Sequence, residues 1–209
     1  MKALTSVSVI HHGPAIDNAR LVAVLLHGRG ANAADIIGLA PEFDLPDVAF
    51  VAPDAPRGSW YPQSFLAPID ANEPYLSRSL DTVDLIVNEL IDKGIDHRRI
   101  ILAGFSQGAC LSLEYAARNP RRYAAILGFS GGVIGPDIEP ERYAGNFDRT
   151  PVYLGCSDID PHIPAERVRE TAVLFGRLNA SVTVELFPGR PHSVYPEEID
   201  ATRAILASS

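Results

Sequence analysis

A chain of 209 residues, 46% hydrophobic and 21% charged, is long enough to bury one sizeable core, and nothing in its composition divides it. A net charge of −8 without any stripe of Lys or Arg argues against a nucleic-acid partner, and the longest apolar runs are strand-sized rather than membrane-sized. Two cysteines, Cys110 and Cys156, make no disulfide framework, and no Cys-x-x-Cys or His-x-x-x-His spacing suggests a metal.

The opening "MKALTSVSVIHHGPA" carries no long apolar segment and no small-residue cleavage site. No signal peptide and no integral membrane segment are therefore expected, and the two cysteines suit a reducing cytoplasm. Apolar residues at 5–10 and 21–26 predict two strands. The "HHGPAIDNAR" between them holds Gly13-Pro14 and Asp17-Asn18, which predicts an antiparallel N-terminal strand pair. The second strand runs into "LLHGRGANAAD" at 25–35, read as strand, loop and helix start.

From residue 48 the strands change character. Runs at 48–52, 99–104, 123–129, 151–156 and 181–187 are mostly apolar without alternation, as in a parallel sheet covered on both faces. Helical periodicity fills the gaps at 76–93, 107–118, 164–178 and 196–207. Alternating strand and helix give an α/β class, a mostly parallel sheet with helices on both faces in a single domain of residues 1–209. The 53–75 stretch is long, proline-rich and aromatic. Its Trp60, Tyr61 and Phe65 are candidates for the wall of a substrate pocket, against the alternative that they only pack the loop onto the body.

Between the strand at 99–104 and the helix at 107–118 stands "GFSQG". A strand-to-helix turn of this kind holds a serine hydroxyl out at the sheet edge, with glycines where a side chain would collide. Ser106 is the candidate nucleophile. A serine needs a base to take its proton and a carboxylate to orient that base. His192 lies in "PGRPHSVYPEEI" after the last strand, and "GCSDIDPHIP" after the preceding one offers Asp158 and Asp160. Spacing does not choose between the two aspartates. The oxyanion would meet the backbone N–H of Gln107, first in its helix, and a second donor from the 25–35 loop.

Two rival readings exist. "GRGANA" at 28–33 after a strand, with Asp54 ending the next strand, matches a dinucleotide fingerprint. The same scaffold could also serve as a non-catalytic binding module.

"LLHGRG", "GFSQGA", "SDIDPHIP" and "PGRPHSVYPEEI" resemble, in order and spacing, the phospholipase/carboxylesterase family that includes the acyl-protein thioesterases. The resemblance implies an α/β-hydrolase fold. It also implies hydrolysis of carboxylic esters, thioesters or lysophospholipids through an acyl-enzyme, without cofactor. It puts the acid on Asp160, before Pro161-His162-Ile163-Pro164, the base on His192, and the oxyanion donors on the N–H groups of Arg29 and Gln107. Arg29 departs from the family, which usually has an apolar residue there. The 53 residues between Ser106 and Asp160 hold no separate lid domain, so an open site is expected. Whether the protein forms a homodimer is left open.

Overall fold

The structure is a computed structural model that describes residues 8–207. Its strands are β1 (Val9–His12), β2 (Leu21–Leu26), β3 (Val48–Pro53), β4 (Ile100–Phe105), β5 (Ala125–Phe129), β6 (Pro151–Ser157) and β7 (Ser181–Phe187). The helices are α1 (Ala33–Ile37), α2 (Ile69–Asn72), α3 (Tyr75–Asp92), α4 (Gln107–Arg118), α5 (Ala165–Arg177) and α6 (Pro196–Ala207). Among the described residues the strands form one seven-stranded sheet in the order β1-β3-β2-β4-β5-β6-β7.

Every pairing from β3 to β7 is parallel. Because β2 and β3 are buried along their whole length, consecutive side chains serve opposite faces, and this is why their sequence reads as uninterrupted apolar residues. Val22, Val24, Leu26 and Leu102 pack into one core with α3, α4 and α5, whereas Leu21, Ala23, Leu25 and Ile101 pack into a second with α1 and α6. Helix α3 contributes Leu76, Leu80, Val83, Val87 and Leu90, a stripe at three- and four-residue spacing.

The antiparallel partner differs from the expectation. β1 pairs with β3, in the register Val9↔Pro53 to His12↔Phe50, and not with β2. Both edges of β2 are taken, by β3 on one side and β4 on the other, so it has no free backbone groups for a third strand. The short turn Ile16–Asn18 carries the chain past β3 instead. Residues 5–7 of the predicted first strand lie outside the described residues.

Parallel strands end on one side of a sheet. The loops after β2, β4, β6 and β7 therefore meet at a common edge, the position at which open α/β sheets bind ligands.

Candidate active site

Ser106 joins β4 to α4 with φ 55° and ψ −119°, a left-handed backbone that costs a non-glycine residue on the order of 1–3 kcal/mol. The bend is possible because its flanks are glycine. A Cβ on Gly104 would lie 2.5 Å from the carbonyl of Gly108, and one on Gly108 would lie 2.1 Å from the carbonyl oxygen of Leu26. The Ser106 N–H donates to Phe129 O at 2.9 Å, which fixes the turn against β5.

The three predicted groups meet. His192 Nδ1 lies 2.5 Å from Asp160 Oδ2, and His192 Nε2 lies 2.9 Å from Ser106 Oγ. A carboxylate can only accept, so Nδ1 carries the proton and Nε2 is left to accept from the serine hydroxyl. The ring packs on Phe105, tilted by 33° at 4.7 Å between centroids, and meets His162 edge-on at 5.0 Å.

Asp160 has both oxygens engaged. Oδ1 accepts the N–H groups of His162 at 2.8 Å and Ile163 at 3.0 Å, while Oδ2 faces His192 and the Cys156 thiol. Burial pushes its pKa upward, but the bonds from His192, His162 and Ile163 outweigh that, and the carboxyl stays below its ordinary range. Asp158 does something else: it is exposed, and its Oδ1 accepts the Gly189 N–H at 2.8 Å, tying the histidine loop at its base.

The N–H of Gln107 is the first of α4 and has no intrahelical partner. The N–H of Arg29 makes no hydrogen bond among the described residues. Both residues border a cavity of about 480 Å³ that also contains Ser106 and His192. Their side chains are fastened to one strap, residues 58–64. Gln107 Oε1 accepts from Trp60 N at 3.0 Å and Nε2 donates to Tyr61 O at 2.8 Å. Arg29 donates to Pro62 O at 2.9 Å, Gln63 O at 2.7 Å and Ser59 Oγ at 3.2 Å. Gly30 N–H closes the same strap on Gly58 O at 2.7 Å.

Tyr61 and Phe65 border the cavity, but Trp60 does not. Its indole N–H donates to the carbonyl oxygen of His27 at 2.9 Å, its ring lies 5.0 Å from the His27 ring, and it is 1% exposed. A large aromatic with one polar atom was better satisfied inside, where it braces the loop from β2. His27 itself is fully buried. Its Nε2 accepts the Ala55 N–H at 3.0 Å, which places the proton on Nδ1, facing Gly28 O at 2.8 Å.

The dinucleotide alternative meets a physical obstacle in the same loop. Asp54 Oδ1 accepts the Ala33 N–H at 2.7 Å, and Asn32 and Asp35 cap α1 reciprocally. The amides that a pyrophosphate would need are held by the chain's own carboxylates.

One group escaped the sequence reading. Glu198, fully buried, accepts the Tyr195 N–H on Oε2 at 2.8 Å while Oε1 has no partner among the described residues. Burial, opposed by the Tyr195 amide and aided by Glu185 and Glu197, raises its pKa to about 7. A Cβ on Gly155 would fall 1.9 Å from Oε1, so a glycine in β6 makes room for the carboxyl. The Glu-Glu pair at 197–198 was visible, but which of the two turned inward was not: Glu197 is exposed and pairs with Arg190 at 2.6 Å.

The model of the phospholipase/carboxylesterase family matches residues 13–208. The chain is 28% identical over 218 residues to acyl-protein thioesterase 1 of Saccharomyces cerevisiae, covering 93% of this chain and 95% of that protein. A phospholipase/carboxylesterase from Dyadobacter fermentans superposes with TM-score 0.93 at 42% identity over 97% of each chain. The Bacillus cereus carboxylesterase shares the fold at TM-score 0.80 and 19% identity, over 99% of this chain and 95% of that one. With nearly its whole length matched, the chain belongs to the phospholipase/carboxylesterase family of serine hydrolases.

Proposed function

We propose that the protein hydrolyses carboxylic esters or thioesters through an acyl-enzyme on Ser106. The observation that carries this reading is the unbroken relay of contacts, 2.5 Å from Asp160 to His192 and 2.9 Å from His192 to Ser106. In the proposed cycle His192 Nε2 takes the hydroxyl proton as Ser106 Oγ attacks the carbonyl carbon. Asp160 orients the ring and stabilises the imidazolium. The N–H groups of Arg29 and Gln107 donate to the developing oxyanion; donors fixed in advance gain most because they need no rearrangement when the charge forms. The protonated His192 then passes its proton to the leaving alcohol or thiol. Water, deprotonated by the same ring, attacks the acyl carbon; the bond to Ser106 Oγ breaks, the ring returns the proton to Oγ, and the acid leaves.

No cofactor enters this cycle, and one α/β-hydrolase domain carries all of it. Cytoplasmic residence fits two cysteines that are free and buried, and no helix among the described residues is long and apolar enough to cross a membrane. The experiment is steady-state hydrolysis of 4-nitrophenyl butyrate by the wild type and by Ser106→Ala. A loss of roughly 10³-fold or more in kcat is expected for removal of one member of such a relay. A variant that keeps a tenth of the wild-type rate would refute the assignment.

A further inference from the structure

The cavity that contains Ser106 is bordered by Arg29 and by no acidic residue. On a chain of net charge −8 this is a local inversion of sign. The Arg29 guanidinium is held by the 58–64 strap. Its three acceptors, Pro62 O, Gln63 O and Ser59 Oγ, are all neutral, and it forms no ion pair among the described residues. The Tyr61 ring lies 5.9 Å from its central carbon. The charge is thus fixed in place without being neutralised. A rigid donor fork keeps its position for a ligand without a further ordering cost, which a freely rotating surface arginine does not.

A second cavity of about 330 Å³ shares Gly28, Ala31, Phe105 and His192 with the first. Its remaining wall is Ile36, Leu39 and Val194, together with His27, Ser193 and Asp35. The Asp35 carboxylate accepts the Asn32 N–H at 2.9 Å. One cavity is therefore mainly apolar with a carboxylate in its lining, and the other holds a cation without an ion-pair partner.

We infer that Arg29 is a specificity determinant, and that the enzyme favours esters joining an apolar half to a half that bears a carboxylate. The inference rests on the proposed ester hydrolysis at Ser106. The anionic half enters the cavity beside Arg29, and the apolar half lies against Ile36, Leu39 and Val194. The same arginine also braces the loop whose N–H faces the oxyanion, so its charge and its hydrogen bonds have separable consequences. Loss of the bonds slows all substrates alike; loss of the charge changes only the preference between anionic and neutral ones.

The test uses two matched pairs, with the charge on the acyl side in one and on the leaving group in the other: 4-nitrophenyl hemiadipate against its methyl ester, and 3-acetoxybenzoate against its methyl ester. The readout is the ratio of kcat/KM for the anionic and neutral members. For one of the two pairs, Arg29→Gln should lower this ratio about fivefold at low ionic strength, the effect of one exposed charge a few ångströms away. Salt at 0.5 M should shrink the wild-type ratio toward that of the variant. Arg29→Lys should keep the ratio while lowering kcat for both members, because the charge survives and the fork does not. A ratio unchanged by Arg29→Gln in both pairs overturns the inference, and so does a ratio indifferent to salt. Failure of the underlying reading looks different: the neutral esters would then be hydrolysed equally by Ser106→Ala.

Discussion

Glu198→Gln should flatten the dependence of stability on pH. The carboxyl is fully buried and one of its oxygens has no partner, so it resists ionisation and titrates at about 7 instead of the ordinary 4.5. The folded protein therefore holds this proton more tightly than the unfolded chain. The stability the group contributes is complete below pH 4.5, falls as pH rises, and is lost once pH passes about 7. At 1.36 kcal/mol per pH unit the full loss is about 3 kcal/mol, and the part falling between pH 5 and pH 8 is about 2.5 kcal/mol. Glutamine keeps an acceptor for the Tyr195 N–H and cannot ionise. Urea unfolding of both proteins at pH 5 and pH 8 isolates the effect, since every other titrating group is common to them. The wild type should lose about 2.5 kcal/mol more than the variant over that interval. Parallel losses in the two proteins would show that Glu198 ionises at no cost and that the reasoning from burial is wrong.

Asp160→Asn should lower kcat about 10³- to 10⁴-fold by leaving His192 in the wrong tautomer, whereas Asp158→Asn, which only loosens a surface tie, should stay within about tenfold of wild type; steady-state kinetics separates them. Because hydrogen bonds hold the Asp160 carboxyl below its ordinary value, the carboxylate should stay ionised as pH falls through 4 and the stability it lends should fade only at lower pH, measurable by acid unfolding of the wild type against Asp160→Asn. Trp60→Ala should cost about 3–5 kcal/mol of stability and leave the preference for acyl length unchanged, because its ring is packed on His27 and borders no part of the serine cavity. Phe65→Ala, by contrast, should shift preference toward longer acyl chains in a series of 4-nitrophenyl esters; an unchanged series would remove Phe65 from the pocket.

The parts of the molecule legible in the sequence are those fixed by local chemistry. Strands 21–26 and 181–187 and helices 107–118 and 196–207 end where their apolar periodicity ends. Ser106 announced itself because its bend demands glycines on both sides. The antiparallel partner of β1 was not legible, since turn residues show that the chain reverses but not which edge is free to receive it. Asp158 and Asp160 are equivalent in spacing; only the N–H groups of His162 and Ile163 turn one of them toward His192. Trp60 stood open between the pocket wall and packing of the loop, because an aromatic in a long loop carries no sign of which way it faces. Arg29 looked like a surface residue until the carbonyls of Pro62 and Gln63 came within reach, contacts separated by more than thirty residues of chain.

Acylation of Ser106 Oγ is the step on which the proposed chemistry most depends. Reaction of the protein with a fluorophosphonate, followed by peptide mass spectrometry, tests this directly. A single adduct on Ser106, absent from Ser106→Ala and formed far more slowly in His192→Ala, is the predicted result. An adduct on another residue, or none while esters are still cleaved, would contradict it.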